Sequence, residues 1–225
     1  MNKLKIITND GSPTIYIEDW NEYYHSKHGA VSESKYVFIK NGLKFWKNNN
    51  PYVDSCNIFE MGFGTGLNAI LTYEFSAENK FKINYQTIDS NPLTENEIKF
   101  LNYSKFFNNK NSELIFEKLH NKSWGETHLI EKKFNFLKMN QKIQNFHFSY
   151  SYDIIYYDAF GSRVQPELWT EDLFISIIRS LKKYGVFVTY SSMGNLRRAL
   201  IKSGMKVEKI DGPIGKREMI RAVNI

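Results

Sequence analysis

Cysteine and long apolar runs are scarce in this sequence. Cys56 is the single cysteine among 225 residues, which excludes an intramolecular disulfide and favours a reducing compartment. No window approaches the ~20 apolar residues of a membrane span, and the first residues lack the apolar run of a signal peptide. We therefore expect a cytoplasmic protein with no membrane attachment.

Glycine, proline and histidine are also few. The 13 glycines and 5 prolines leave little room for low-complexity segments. Of the 5 histidines, the close pair His25 and His28 has no further ligand at a suitable spacing, so we expect no metal site. What is present is a hydrophobic fraction of 42%, which indicates one buried globular domain. The formal net charge of +6 permits binding to a polyanion without requiring it.

Strand-like and helix-like segments alternate along most of the chain. Residues 1–50 predict a strand pair and an amphipathic helix that packs on the core, and residues 51–225 predict the main domain. The alternation in the main domain predicts an α/β fold with a mostly parallel, doubly wound sheet. One helix is predicted over 170–184, with acids in its first turn, lysines in its last turn and Gly185 as its cap. Ligands of such sheets bind outside the carboxyl ends of the strands.

The first strand of the main domain leads into FEMGFGTGLNA, residues 59–69. This stretch has an E-x-G-x-G-x-G pattern formed by Glu60, Gly62, Gly64 and Gly66. Glycines at a strand-to-helix turn let the backbone approach a ligand, and the helix that follows presents unpaired amides. The stretch also satisfies a dinucleotide fingerprint, so the glycines alone do not identify the cofactor.

Two acids near the glycines help to identify the cofactor. Glu60 suits a ligand with an ammonium group and would repel the pyrophosphate of a dinucleotide, which favours S-adenosylmethionine over a nicotinamide cofactor. Asp89, at the end of the next strand, is placed to bind a ribose diol. For the adenine contact the sequence offers Asn135, in a stretch that has no Asp after the third strand.

A second informative stretch is YDIIYYDAFGSRVQPELWTEDLF, which begins at Tyr152. Its first half predicts a buried strand that ends at Asp158. A loop with two aromatic residues follows, Phe160 and Trp169. Two interpretations are open: Asp158 and the aromatics line a site, or Asp158 caps a loop and the aromatics belong to the core.

Several stretches together resemble one known family. DAF and PELWTEDLF, SSMGNLRRALIKSGM, GPIGKREMIRA, YYHSKHGAVSESKYVFIKNGL and the glycine stretch are similar, in the same order, to the methyltransferase part of the bifunctional tRNA 5-methylaminomethyl-2-thiouridine biosynthesis protein MnmC and to its stand-alone MnmD-like relatives. The chain departs from the family pattern at Gly161 and Ser162, where a proline is usual, and near Lys132 and Lys133, where a Gly-Asp pair is usual.

The resemblance implies a class I methyltransferase fold with an antiparallel last strand and S-adenosylmethionine as the methyl donor. It implies N-methylation of 5-aminomethyluridine, or its 2-thio form, at the wobble position of tRNA. Because the family's flavin-dependent oxidase follows the methyltransferase part and this chain ends at Ile225, we expect no FAD and no oxidase activity. We expect tRNA as the partner and no obligate protein partner.

The implied chemistry gives roles to particular residues. Asp158 is expected to orient the acceptor amine and help to remove its proton, and Phe160 with Trp169 to form an aromatic wall against a flipped base. The family pattern places the amino-terminal stretch near the site, so two interpretations of Glu33 and Tyr36 are open: they lie over the same pocket, or they belong to a solvated helix face. Contacts to tRNA phosphates are assigned to a basic pair in the GKREM loop, Lys216 and Arg217.

Three other functions stay open at this point. The chain is also compatible with a methyltransferase that acts on another RNA or a small amine. A nicotinamide-dependent oxidoreductase is disfavoured by Glu60. A non-catalytic RNA-binding module with a decayed cofactor fold is disfavoured by the intact glycine pattern and by Asp89 and Asp158.

Overall fold

The computed structural model describes residues 2–107, 109, 111–148 and 151–225. Near the amino terminus, three antiparallel strands form a small sheet: β1 (Lys3–Ile7), β2 (Pro13–Ile17) and β3 (Glu22–Tyr23). The predicted strand pair is therefore extended by a short third strand. This strand leads the chain to the edge of the main domain, where the site lies.

A long helical segment follows the small sheet. It consists of α1 (Ala30–Ser34), a π-helix (Lys35–Lys44) and α2 (Phe45–Asn49), and the residues at both junctions keep right-handed helical angles. Its buried face packs on the main sheet, where Phe38 contacts the ring of Tyr156 at 5.1 Å. A Cβ added at Gly42 would lie 3.0 Å from Val188, so the absence of a side chain there lets the helix approach the sheet closely.

Within the described residues, eight strands form the main sheet. They are β4 (Ser55–Met61), β5 (Lys82–Asp89), β6 (Thr127–Glu131), β7 (Phe134–Asn140), β8 (Tyr152–Tyr157), β9 (Leu181–Thr189), β10 (Met205–Asp211) and β11 (Glu218–Asn224). Their order is β10-β11-β9-β8-β4-β5-β7-β6. The central strands are parallel, while β11 is antiparallel to β9 and β10, and β6 is antiparallel to β7.

Helices cover both faces of this sheet. They are α3 (Leu67–Asn79), α4 (Glu95–Phe100), α5 (Ser112–Asn121), α6 (Glu171–Ile178) and α7 (Gly194–Lys202). The π-helical segment, α3 and α5 pack on one face around Tyr85 and Tyr156, and α6 and α7 pack on the other around Tyr157 and Phe187. Thr94 and Glu97 form a capping box at the start of α4.

The predicted end of α6 is wrong. The helix ends at Ile178, and Gly185 lies inside β9 instead of capping the helix. Tyr184 takes a left-handed conformation with φ of 63°, and the pairing of β8 with β9 is irregular in the same region. Lys182 binds Asp153 of β8 at 2.9 Å. The lysines that looked like a helix terminus therefore belong to the sheet, because a pairing across strands outweighs the local helix signal.

The parallel pairing brings three strand ends to one edge. Met61, the last residue of β4, pairs with Ile88 of β5 and with Tyr157 of β8. The residues that follow directly, including Asp89 and Asp158, are therefore neighbours in space. This register assembles the candidate site from stretches that are far apart in the sequence.

Candidate functional site

A cleft of about 870 Å³ opens at the carboxyl edge of β4, β5 and β8. Such a volume lies within the range of small-molecule and cofactor sites. Residues 20–27 form one wall, and residues 141–144, which follow β7, form another. Of the residues predicted from the sequence, those that line the cleft are Glu33, Gly62, Gly64, Asp89, Asp158, Phe160 and Lys216.

The glycine turn adopts a backbone that other residues rarely take. Gly62, Gly64 and Gly66 have φ of 92°, 50° and 73°. A Cβ at Gly62 would lie 2.8 Å from the carbonyl oxygen of Asp158, so only glycine allows β4 and β8 to stay this close. The amide of Gly64 donates to Oδ2 of Asp89 at 2.8 Å. The turn and the end of β5 are therefore held as one unit.

Asp89 closes the other side of the turn. Its Oδ1 accepts the amide of Asn91 at 2.8 Å, while Oδ2 accepts the amide of Gly64. Burial raises the pKa of this carboxyl, and the two amide hydrogen bonds oppose that effect. Each oxygen keeps a second lone pair, so the side chain remains able to accept hydrogen bonds from a ligand.

Asp158 lies where β8 ends in the cleft. Its backbone amide donates to the carbonyl of Met61 at 3.1 Å, and Nδ2 of Asn68 donates to Oδ2 at 2.7 Å. Burial, with a smaller effect of the nearby Glu33 carboxylate, raises the pKa of Asp158 to about 7. The group therefore exchanges a proton close to neutral pH, as a general base must.

Aromatic side chains from two distant segments form the wall beside Asp158. The ring of Phe160 makes edge contacts with Trp20 at 5.3 Å and with Tyr24 at 4.8 Å. Arg163 ties the same segments together, since its guanidinium donates to Glu22 at 2.9 Å and to the carbonyl of Trp20. The result is an apolar surface bounded by charged groups.

Lys216 enters the cleft instead of pointing outward. Its Nζ binds Oε1 of Glu33 at 2.7 Å and lies 3.8 Å from the ring centre of Tyr190. Glu33 is buried, and its Oε2 also accepts the amide of Ser26 at 2.7 Å. Tyr190 in turn donates to the carbonyl of Ala159 at 2.8 Å. Lys216 thus joins the β10–β11 hairpin to the amino-terminal wall.

Histidine does not form a metal centre in the described part of the chain, where no group of three or more His, Cys, Asp or Glu side chains is arranged around a common point. His25 lines the cleft and contacts the hydroxyls of Thr14 at 3.1 Å and Thr65 at 3.3 Å. Burial lowers the pKa of His25 to about 4, so the ring is neutral at physiological pH. It connects the amino-terminal segment to the glycine turn.

Six of the predicted site residues do not line the cleft. One of them, Gly66, belongs to the glycine turn itself. The other five are Glu60, Asn135, Tyr36, Trp169 and Arg217. Trp169 is 3% exposed and packs against Tyr157 and Phe174, while its Nε1 donates to the carbonyl of Phe160 at 2.7 Å. It therefore supports the loop from the core and does not line the wall. Glu60 is fully buried beneath the turn.

The other three lie farther from the predicted position. Asn135 is the second residue of β7, and its amide donates to Asn84 at 2.8 Å, near the amino end of the strand. The sequence interpretation placed Asn135 after the third strand, whereas β7 continues to Asn140 and β6 forms the outer arm of a hairpin with it. Tyr36 donates to the carbonyl of Asp211 at 3.0 Å, and Arg217 is exposed.

The structure also adds residues that the sequence interpretation missed. Trp20, Tyr24, Asn68 and Tyr190 all line the cleft, as do residues 141–144. The aromatic run WNEYYH was a visible signal, but only tertiary contacts show which of its rings meet Phe160. Asn68 follows the last glycine by two positions, so its place in the first turn of α3 was available from the motif.

Known proteins resemble this chain over most of its length. A family model described as an S-adenosyl-L-methionine-dependent methyltransferase matches residues 105–225. A tRNA 5-methylaminomethyl-2-thiouridine biosynthesis bifunctional protein MnmC from Hydrogenovibrio crunogenus is 26% identical over 219 residues, which cover 93% of this chain and 32% of the relative. The Campylobacter jejuni protein of that name is 27% identical over 236 residues, which cover 99% and 36%. The chain thus spans about a third of the length of these relatives.

Solved structures show the same fold. The crystal structure of MNMC2 from Aquifex aeolicus superposes with a TM-score of 0.75 at 22% identity, over 99% of this chain and 70% of that one. Spermidine synthase from Thermotoga maritima gives a TM-score of 0.53 at 10% identity, over 100% of this chain and 72% of that one. The predicted class I methyltransferase fold is confirmed. No helix among the described residues is long and apolar enough to cross a membrane.

Proposed function

Because the chain belongs to the family of S-adenosyl-L-methionine-dependent methyltransferases, we propose that it methylates the amine of 5-aminomethyluridine, or of its 2-thio form, at the wobble position of tRNA. The observation that carries this proposal is the position of Asp158. Its carboxyl is fixed by Asn68 next to the glycine turn and stands beside the aromatic surface of Phe160. The product is 5-methylaminomethyluridine.

The cleft fits the cofactor that the family implies. A Cβ added at Gly64 would lie 3.3 Å from the ring of Tyr24, so the absence of a side chain leaves space between the glycine turn and this ring. We assign the ribose diol to Asp89, whose two oxygens each keep an acceptor lone pair. Residues 141–144, which follow β7, replace Asn135 as the candidates for the adenine contact. When bound, S-adenosylmethionine supplies an electrophilic methyl group.

The acceptor side requires an unprotonated amine held in line. We propose that the Asp158 carboxylate accepts a hydrogen bond from the amine, orients its lone pair and takes up the proton that leaves during the reaction. With a pKa near 7, part of the carboxyl is already ionised at neutral pH. The Asn68 amide restricts the carboxylate to one orientation.

The aromatic wall suits a flat base outside its stack. Unpaired bases commonly stack on aromatic rings. Edge contacts with Trp20 and Tyr24 fix the orientation of the Phe160 ring. Such a surface favours a nucleobase over a small aliphatic amine. Since Lys216 is engaged by Glu33 inside the cleft, the exposed Arg217 is the better candidate for a phosphate contact.

We assign methyl transfer, and not the flavin-dependent oxidation, to these residues. The aminomethyl group must then be formed by another reaction before this one. tRNA is the proposed partner, and we propose that the reaction takes place in the cytoplasm. Neither a metal nor a second cofactor has a role in the proposed steps.

The direct test is transfer of labelled methyl from S-adenosylmethionine to tRNA that carries 5-aminomethyluridine, followed by nucleoside analysis. Label in 5-methylaminomethyluridine, and none on the unmodified transcript, supports the proposal. Label elsewhere in the RNA, or only on free amines, would contradict the proposed acceptor. Tight cofactor binding without transfer to this tRNA would contradict it as well.

A further inference from the structure

A cluster of buried polar side chains lies beneath the glycine turn. Glu60 of β4 pairs in register with Thr87 of β5 and with Tyr156 of β8. Residues paired in this way share one face of a parallel sheet, and Tyr85, two positions before Thr87, shares it too. Asn68 in the first turn of α3 covers this face. Asn68 also lines the cleft, whereas Glu60 does not reach it.

Thr87, Asn68 and Tyr85 lie close enough to the Glu60 carboxyl to lower its pKa, but six polar atoms of this cluster make no hydrogen bond of good geometry within the described part of the chain. They are both carboxyl oxygens of Glu60, Oδ1 of Asn68, Oγ1 of Thr87 and the hydroxyls of Tyr85 and Tyr156. Glu60 is 0% exposed, and Asn68 is 3% exposed. An ionised carboxylate is unfavourable in such a place unless it is paired with a cation. No lysine or arginine is among the groups that act on Glu60.

The hydrogen bond from Asn68 to Asp158 decides how the amide is turned. Because a carboxylate only accepts, Nδ2 of Asn68 must face Asp158, as the 2.7 Å contact requires. The acceptor atom Oδ1 then remains on the buried side without a donor. An ionised Glu60 has no hydrogen to give it. A protonated Glu60 has one, and protonation also removes the repulsion between two neighbouring carboxylates.

We infer that Glu60 is a neutral positioning residue, whose carboxylic O–H donates to Oδ1 of Asn68 and thereby holds Nδ2 against the Asp158 carboxylate. The order of contacts is Glu60, Asn68, Asp158. This role differs from the sequence-based interpretation, in which Glu60 binds the ammonium group of the cofactor. Burial and the charge of Asp158 also raise the pKa of Glu60 to about 8, in the same direction.

The consequence concerns the catalytic group. A fixed Asn68 donor stabilises the ionised form of Asp158 and keeps its pKa from rising further. Without the O–H of Glu60 as a donor, the side-chain amide of Asn68 is free to rotate. The carboxylate of Asp158 then loses the fixed hydrogen bond from Nδ2. The inference rests on the proposed role of Asp158, but the protonation state of Glu60 can be measured without any reaction.

Infrared spectroscopy of the unmodified protein gives that measurement. At pH 7 we expect carbonyl absorption from buried carboxylic acids, to which the half-protonated Asp158 also contributes. One component of this absorption should disappear in Glu60→Gln and persist in Glu74→Gln. Glu74 is a matched control, since it is a buried carboxyl on the same helix as Asn68 and bonds Ser112 instead of the cluster. If no band is lost in Glu60→Gln, Glu60 is ionised and the inference fails.

Cofactor titration by calorimetry separates the two roles of Glu60 without an acceptor. We expect the dissociation constant of S-adenosylmethionine to change by less than about threefold in Glu60→Gln, since the side chain does not touch the cleft. A weakening of tenfold or more would return Glu60 to the cofactor and overturn the inference. This readout is independent of whether tRNA is the acceptor.

The pH dependence of turnover tests the action through Asn68. Glu60→Leu, which removes the donor, is expected to move the pH midpoint of kcat/KM upward by about half a unit or more, and the conservative Glu60→Gln to restore it, because its amide still donates to Oδ1. Asn68→Leu is expected to move the midpoint in the same direction. A midpoint that stays constant in all three variants would reduce Glu60 to a structural residue and contradict the inference.

Discussion

Glu33 and Lys216 are 183 positions apart, yet Oε1 and Nζ meet at 2.7 Å inside the cleft. The pair joins the amino-terminal helix to the last hairpin and lies next to the base-binding surface. The Glu33 side chain is 9% exposed and the Lys216 side chain is 35% exposed. Loss of Lys216 therefore leaves the carboxylate of Glu33 buried without its cationic partner.

Lys216→Met should lower the free energy of unfolding by roughly 1–3 kcal/mol, less than for a fully buried pair because Lys216 is partly solvated. The double variant Glu33→Gln/Lys216→Met should recover part of this loss, since no charge is left unpaired. Urea denaturation measures both. Lys202→Met is the control, because Lys202 pairs with Glu171 in solvent, and its effect on stability should be clearly smaller than that of Lys216→Met. Equal losses for Lys202 and Lys216 would contradict the buried character of the pair.

Asp158→Asn should lower kcat by about 10²- to 10⁴-fold, the usual contribution of a general base, while cofactor affinity stays close to that of the unmodified protein. In the unmodified protein kcat/KM should rise with pH through about 7, since the ionised carboxyl is the active form and its pKa is raised to about 7. Steady-state kinetics between pH 5.5 and 9 measure both effects. Glu167→Gln, at another acid that lines the cleft, serves as the control. A flat profile, or turnover within tenfold in Asp158→Asn, would exclude Asp158 as the base.

Stability should decrease as pH rises from about 6.5 to 8. The pKa values of Glu60 and Asp158 are raised to about 8 and 7 in the folded protein, so the stabilising proton is present at low pH and is lost through this window. His25 and His120 have pKa values lowered to about 4, so their opposite effect lies mainly between pH 4 and the ordinary histidine pKa of 6.5 and fades above it.

The urea midpoint at several pH values between 6.5 and 8 checks this prediction. Glu60→Gln should flatten the decline, because one of the two protons is then absent from both states. Above pH 8 the decline should end, since Lys138, with a pKa lowered to about 8, stays protonated longer in the unfolded chain and acts in the opposite direction. A midpoint that rises between pH 6.5 and 8 would contradict the assigned shifts.

Gly62→Ala should impair cofactor binding and folding more than Gly204→Ala. Both glycines have a positive φ, 92° and 82°, so both substitutions carry the same backbone strain of about 1–2 kcal/mol. They differ in contact, since a Cβ at Gly62 meets the carbonyl of Asp158 at 2.8 Å and one at Gly204 meets nothing within 4 Å. Thermal unfolding and calorimetric titration with S-adenosylmethionine measure the difference. Equal effects would mean that β4 and β8 can move apart at no cost.

Phe160→Ala and Trp169→Phe should have different effects, because Phe160 lines the cleft and Trp169 supports the loop from the core. Phe160→Ala should raise KM for the modified tRNA about tenfold with little change in melting temperature, because the ring is a partly exposed stacking surface. Trp169→Phe should mainly lower the melting temperature, since it removes a hydrogen bond from a residue that is 3% exposed. The reverse pattern, with tRNA KM affected by Trp169 and stability by Phe160, would show that the two rings have exchanged roles.

The glycine turn and the strand ends show how far sequence reasoning reaches. Glu60 to Gly66, Asp89 and Asp158 could be placed at strand ends because periodicity and turn residues are local signals. Asp89 and Asp158 do line the cleft. Asn135 was misplaced because the hairpin of β6 and β7 shifts the end of the third strand to Asn140, and nothing local marks that shift.

Two of the predicted aromatic residues do not line the cleft, for a common reason. Trp169 and Tyr36 belong to segments that do lie near the site, and both hold its loops through hydrogen bonds to backbone carbonyls. Which side of a loop faces the ligand depends on contacts across the chain, so a motif locates the segment and not the direction of each ring. The same reason explains why Trp20 and Tyr24 were missed.

The sequence by itself determined the α/β alternation, the glycine turn, the acids at the strand ends and the family resemblance, because each depends on neighbours along the chain. Only the tertiary structure decided that Glu60 is buried below the turn, that Lys216 turns inward to Glu33 and that Asn68 reaches Asp158. The first outcome depends on burial. The other two depend on partners that are 90 or more positions away in the sequence. The cost of burying a charge or a polar group without a partner is a property of the folded surroundings.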